Sequence, residues 1–228
     1  SNPPSINAIN VENLKIPLPP LEIQEKIVKE IEEIEEKSEK LKEENERLKE
    51  EIEKYLRNIT GKKVTIRNIL AKIEGNTTKV PQSEILQEGK YPVITQESGK
   101  LISGYTNINK PITDIPLIVF GDHTCVFKYV DFPFVRGADG TQLLKPIKEF
   151  NPKFFYYILT ILDIPEKNKY TRHMKYLKTL QIPLPPLELQ KEIVSKIEKL
   201  EKIIETNKKK IKELETQKKE ILKKYLKE

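Results

Sequence analysis

The sequence predicts an α+β fold: one mixed α/β domain carried on a long antiparallel two-helix coiled coil. Three observations lead there. A proline-ended segment occurs twice, at an offset of 166 residues. Each copy runs into a charged helix with a heptad of apolar positions. Residues 60–186, between the helices, hold short apolar runs broken by turn signals.

The repeat comes first, because internal self-similarity constrains everything else. Leu14-Lys15-Ile16-Pro17-Leu18-Pro19-Pro20-Leu21-Glu22-Ile23-Gln24 recurs as Leu180-Gln181-Ile182-Pro183-Leu184-Pro185-Pro186-Leu187-Glu188-Leu189-Gln190. Over residues 14–35 against 180–201, 14 of 22 positions are identical. Each copy has an extended apolar piece leading into prolines, which fix φ and turn the preceding residue away from helix. The last proline suits the first helical position. Glu22 and Glu188 follow in the first turn, where the helix dipole favours a carboxylate.

Residues 21–59 then carry the stripe Ile27, Ile31, Ile34, Ser38, Leu41, Asn45, Leu48, Ile52, Tyr55, Ile59. Residues 187–228 carry Ile193, Ile197, Leu200, Ile204, Asn207, Ile211, Leu214, Lys218, Ile221, Tyr225. Spacings of four and three alternate strictly in both, which is a coiled-coil seam. The chain leaves along one helix and returns along the other, so an antiparallel pair within one chain satisfies both stripes; exchange of helices between two chains satisfies the same layers. Burying an amide against leucine leaves it unsatisfied at roughly 1–3 kcal/mol. Pairing Asn45 with Asn207 avoids that cost and sets the register, with Glu44 beside Lys210.

Val64 to Leu70 opens the middle domain. Leu117-Ile118-Val119-Phe120, followed by Gly121-Asp122, reads as a buried strand and a turn. Residues 125–130 form a second strand candidate, and the apolar run 154–162 is long enough for a buried helix. Connectors rich in Gly, Asn and Thr supply long loops, where recognition residues tend to sit.

Composition narrows the function. Of 228 residues 33% are charged, above the globular average of about 25%. No apolar run approaches the ~20 residues of a membrane span and no signal peptide is visible, so a cytoplasmic protein is expected. With Cys125 as its single cysteine the chain has no internal disulfide, and two histidines are too few for a structural zinc site. The only methionine is Met174, so Ser1-Asn2 reads as a tag scar or an internal cut. Residues 21–58 hold 9 basic and 14 acidic groups, residues 59–186 hold 18 and 11, and residues 187–228 hold 13 and 9. A basic middle segment suits a polyanion such as nucleic acid.

Catalytic readings are weak. Asn2-Pro3-Pro4-Ser5 resembles the Asn-Pro-Pro-aromatic motif of adenine-N6 methyltransferases, but Ser5 stands where that motif stacks an aromatic on a flipped base. His123 and Cys125 fall on one face of an extended segment, yet no third group orients them as a nucleophile pair. No Gly-rich phosphate loop is present.

The repeated Ile-Pro-Leu-Pro-Pro-Leu-Glu-x-Gln at a helix head resembles the conserved regions of type I restriction–modification specificity (S) subunits. Gly89-Lys90-Tyr91-Pro92-Val93-Ile94, Gly121-Asp122-His123-Thr124 and Phe134-Val135-Arg136-Gly137-Ala138-Asp139-Gly140 resemble stretches of that family's target recognition domains. The resemblance implies a non-catalytic subunit without a cofactor. It makes residues 60–186 a domain that reads one half of a split DNA sequence. The coiled coil then spaces the halves and docks methyltransferase subunits, and restriction subunits join through the complex. Residues 1–20 become the tail of an upstream recognition domain and its proline-rich lead-in. A second reading from another class stays open, a coiled-coil scaffold whose middle domain binds protein.

Base reading needs Asn, Gln, Arg or Lys on loops, with Thr and Ser assisting. The candidates are Lys72, Asn76, Thr77, Thr78 and Lys79; Gln96 and Lys100; Arg136, Thr141 and Gln142; and Arg172, His173 and Lys175.

Overall fold

The computed structural model describes residues 18–108, 110–165 and 173–225. The Asn-Pro-Pro-Ser segment and the expected domain tail lie outside the described residues. Helix α1 spans Leu21–Arg57. Strands β1 (Lys62–Thr65), β2 (Lys79–Val80), β3 (Tyr91–Ile94), β4 (Gly104–Thr106), β5 (Leu117–Gly121), β6 (Phe127–Val130), β7 (Val135–Gly137) and β8 (Thr141–Leu144) follow. Then come α2 (Pro152–Thr160), α3 (Met174–Leu177), β9 (Gln181–Leu184) and α4 (Leu187–Tyr225). Two compact units divide the chain, residues 1–50 with 200–228 and residues 51–199.

In the first unit the two long helices run antiparallel in one chain. Ile27, Ile34, Leu48 and Ile204 are buried along the seam, and so are Asn45 and Asn207. Lys218 pairs with Glu35 across the helices. The Lys26 ammonium lies 6.0 Å from the Tyr225 ring centre. Asn207 Nδ2 donates to Glu44 Oε2 at 2.9 Å, so the expected amide-to-amide bond gives way to a charge-assisted one. Glu44, expected beside Lys210, takes that bond. Outer faces carry intrahelical pairs such as Lys40–Glu36 at 2.6 Å, which solvent screens.

Among the described residues the second unit has three sheets. β1 and β9 pair antiparallel, Val64 opposite Ile182, and bonds from Ile66 N to Leu180 O (2.9 Å) and Arg67 N to Lys178 O (3.1 Å) extend the ladder. A mixed sheet has the order β2-β7-β3-β4, and an antiparallel one the order β6-β5-β8. β5 is buried at every position, as a central strand covered on both faces must be. Its Ile118 and Phe120 join Phe154, Phe155, Ile158, Leu56, Ile193 and Ile197 in the largest core. Its Leu117 and Val119 face the other way, onto Ile94, Ile112, Val130 and Phe134.

The structure shifts the starts of two expected elements. The helix expected from Phe154 starts at Pro152, because the Asn151 side chain accepts from Lys153 N and Phe154 N and a proline occupies the first turn. The strand expected from Cys125 starts at Phe127. Cys125 has a φ of 54°, a left-handed conformation that ends a turn and cannot continue a ladder.

The two copies of the repeat carry the same cap. Gln24 Nε2 donates to Pro19 O at 2.7 Å, and Gln190 Nε2 donates to Pro185 O at 2.8 Å. Gln190 also reaches the lead-in to α2, donating to Glu149 O at 2.9 Å and accepting from Asn151 N at 2.7 Å. It is fully buried.

Candidate nucleic-acid interface

Gly121 to Cys125 forms a turn at the end of β5, closed by a bond from Cys125 N to Gly121 O at 2.9 Å. Three further segments converge on it. Gln96, just past β3, accepts from His123 N through Oε1 at 3.2 Å. Thr124 Oγ1 donates to the Gln96 carbonyl at 2.8 Å. From the turn after β7, Gly140 O accepts from Asp122 N at 2.7 Å. The third segment begins at His173, whose N–H and ring Nδ1 both meet Asp122 O, at 3.1 Å and 2.9 Å. Asp122 Oδ1 then accepts from Met174 N at 2.7 Å, satisfying one of the orphan donors that open α3.

The loop 72–79 joins through a side chain. Lys79 Nζ lies 2.6 Å from Asp139 Oδ1, at the tip of the turn after β7. Ala138 (φ 53°) and Gly140 (φ 75°) bend that turn through left-handed geometry. The far end of loop 72–79 is tied by Asp114, which accepts from Glu74 N at 2.7 Å and pairs with Lys145. The Lys145 hydrogen bond, reinforced by the Glu74 N–H, holds the Asp114 carboxyl below its ordinary value.

Each candidate from the sequence now has a place. Lys72, Thr78, Lys79, Lys100 and Lys175 are exposed, and Thr77 and Gln142 are half-buried. Asn76 turns inward: Nδ2 donates to Lys110 O at 2.5 Å and Oδ1 accepts from Thr78 N at 3.1 Å. Arg136 is half-buried on β7, with Nε donating to Thr141 O at 2.8 Å, and burial lowers its pKa. Arg172 lies outside the described residues.

Three candidates are engaged by the chain itself. Thr141 is fully buried and its hydroxyl donates to Gly137 O at 2.7 Å. His173 is 5% exposed, and its ring Nδ1 meets Asp122 O at 2.9 Å, a contact that fastens the segment. Gln96 is engaged at both ends of its amide, since Nε2 donates to Asp139 O at 3.1 Å.

Sequence reasoning set Asp122, His123, Thr124 and Asp139 in stretches resembling the family but not among the base-reading candidates. The turn signal Gly121-Asp122 marked one of their loops, but nothing local marked its meeting with the others. Among the described residues no group of three or more His, Cys, Asp or Glu is placed to hold a metal ion, and no helix is long and apolar enough to cross a membrane.

A family model described as the type I restriction modification DNA specificity domain matches residues 1–51 and 60–216. The chain belongs to that family. Solved structures share the fold of this specificity domain. The type I restriction-modification S subunit from M. genitalium aligns at 19% identity and a TM-score of 0.61, covering 98% of this chain and 66% of that one. The HsdS subunit from Thermoanaerobacter tengcongensis aligns at 21% and 0.57, covering 98% and 63%. A chain from a study of type I R-M complex assembly and conformational transition aligns at 18% and 0.65, covering 99% and 64%. The specificity domain chain thus spans about two thirds of the length of these structures. No curated protein sequence matches it.

Proposed function

We propose that this chain serves as a DNA sequence-specificity component of a type I restriction–modification enzyme. In this reading residues 60–186 read one half-site, and the coiled coil spaces half-sites and docks methyltransferase subunits. Restriction subunits join through the complex. The chain supplies no catalytic group and works in the cytoplasm.

The observation that supports this most is the convergence of loops 72–79, 96–100, 121–125 and 137–141 and the segment from His173 on one set of hydrogen bonds. They belong to a segment with an excess of basic residues, in a chain of the specificity family. Phosphate contacts from Lys72, Lys100, Lys175 and Arg172 would position the duplex, and polar side chains at the loop tips would discriminate bases.

Binding selection from random duplexes, followed by titration against salt, tests the reading. The expected result is an enriched short sequence whose binding falls steeply with salt. Equal binding to all duplexes would leave the protein-binding scaffold as the better account. The coiled coil has its own test. α1 is 37 residues long, about 55 Å at 1.5 Å per residue. In the assembled enzyme, four residues inserted in both helices change the spacer and leave the half-site bases as they were.

A further inference from the structure

We infer that Gln96 is a positioning residue for base reading, one that fixes the separation of the His123 and Asp139 turns so that these two exposed side chains address neighbouring positions of one DNA site. The inference rests on the DNA-reading function proposed above and assigns a division of labour within it.

Gln96 makes three bonds to two different turns. Its Oε1 accepts from His123 N at 3.2 Å, and its carbonyl accepts from Thr124 Oγ1 at 2.8 Å. Its Nε2 donates to Asp139 O at 3.1 Å. One planar amide therefore spans the gap between the turns. Swapping its two ends would set like against like, because the oxygen faces a donor and the nitrogen faces an acceptor. The glycines of both turns lie close against Gln96. A Cβ on Gly140 would lie 2.5 Å from Gln96 Nε2, and one on Gly121 would lie 2.9 Å from Gln96 Cβ.

What the clamp presents is polar and exposed. His123 and Thr124 are exposed, and the Asp139 side chain is 97% exposed. A carboxylate on a surface facing phosphates is repelled unless it meets a donor. The base-edge donors in the major groove are the amino groups of cytosine N4 and adenine N6. An imidazole suits the acceptors O6 and N7 of guanine when its N–H points outward. Lys79, paired with Asp139 at 2.6 Å, holds the carboxylate at the turn tip in the free protein.

The test compares Gln96→Ala and Gln96→Glu with the unaltered chain in two measurements. The first is affinity for the selected duplex and for random duplex over a salt series. The second is amide hydrogen exchange at residues 122–124 and 138–141 without DNA. Gln96→Ala should cut the ratio of specific to random binding about ten- to a hundredfold while keeping the salt slope and random-duplex affinity, and should speed exchange in both turns together. Gln96→Glu keeps an acceptor for His123 N but sets a carboxylate against the Asp139 carbonyl. It should loosen residues 138–141 alone and relax the same base position as Asp139→Ala. Equal losses on specific and random DNA, an unchanged ratio, or loosening of only one turn in Gln96→Ala would overturn the inference. If the unaltered chain prefers no sequence, the DNA-reading function fails and base positioning with it, while the exchange measurement still decides whether Gln96 couples the turns.

Discussion

Asn207 reaches across the coiled coil to Glu44, with Nδ2 2.9 Å from Oε2, while Asn45 beside it keeps a buried Oδ1 with no partner among the described residues. The two asparagines are therefore unequal. Truncating Asn207 strands the half-buried Glu44 carboxylate. Replacing Asn45 by leucine removes an orphan acceptor and adds apolar burial. We expect Asn45→Leu to stabilise by about 0.5–1.5 kcal/mol and Asn207→Leu to destabilise by a similar amount. Thermal unfolding of the two variants checks this. Disulfide cross-linking of Glu35→Cys with Lys218→Cys, placed where those residues pair, reports the register in each.

The exposed lysines around the loop junction should act through phosphate. Lys175→Ala, Lys72→Ala and Lys100→Ala each weaken binding to selected and random duplex alike and lower the salt slope by about one. Arg172→Ala is expected to do the same on sequence grounds. A lysine whose removal changes the preferred base instead would be reading sequence, and the selection experiment reveals it.

Much of the fold was legible because its signals are local. The proline-ended repeat and the four-three stripes state both long helices, and the run 117–120 states the central strand. The mixed sheet was not legible. β2 is a two-residue strand and β7 a three-residue one, and their parallel pairing depends on partners dozens of residues away. The site divided in the same way. Lys72, Lys100 and Lys175 lie exposed on the candidate loops, and Lys79, also exposed, ties its loop to Asp139. Gln96, Thr141 and His173 carried the polarity of surface groups, but the loops needed their hydrogen bonds to close on one another. Composition cannot separate a polar group that meets a ligand from one that meets the chain.

The repeat offers a matched pair of substitutions. Gln190 is fully buried and bonds Pro185 O, Glu149 O and Asn151 N. Gln24, its counterpart, is half-buried and bonds Pro19 O. Gln190→Ala leaves buried backbone groups without partners and should cost about 1–3 kcal/mol, whereas Gln24→Ala loses one net hydrogen bond, about 0.5–1.5 kcal/mol. Chemical denaturation of both variants measures the difference. Equal costs would mean that the contacts of Gln190 to residues 149–151 contribute nothing.

Lys128 should be the residue whose loss helps the fold. It lies on β6, the edge of its sheet, opposite Val119 and two residues from Val130, which pairs with Leu117. It is 7% exposed, and its Nζ has no partner among the described residues. Burial lowers its pKa from 10.5, against an opposing pull from Glu97. The charged form is thus less welcome in the folded chain than in the unfolded one. Between the lowered value and 10.5 the unfolded chain binds more protons, so stability rises with pH across that window. Lys128→Met keeps the length of the side chain and removes the ammonium. It should stabilise the protein at pH 7 by about 1–3 kcal/mol, and the advantage should shrink as pH approaches 10.5. Urea unfolding at several pH values measures both. An inward charge on an edge strand also deters pairing with another chain, so the variant should associate more readily in light scattering at high concentration. A variant less stable at pH 7 would show that Lys128 has a partner in solution, and this account of its burial would fail.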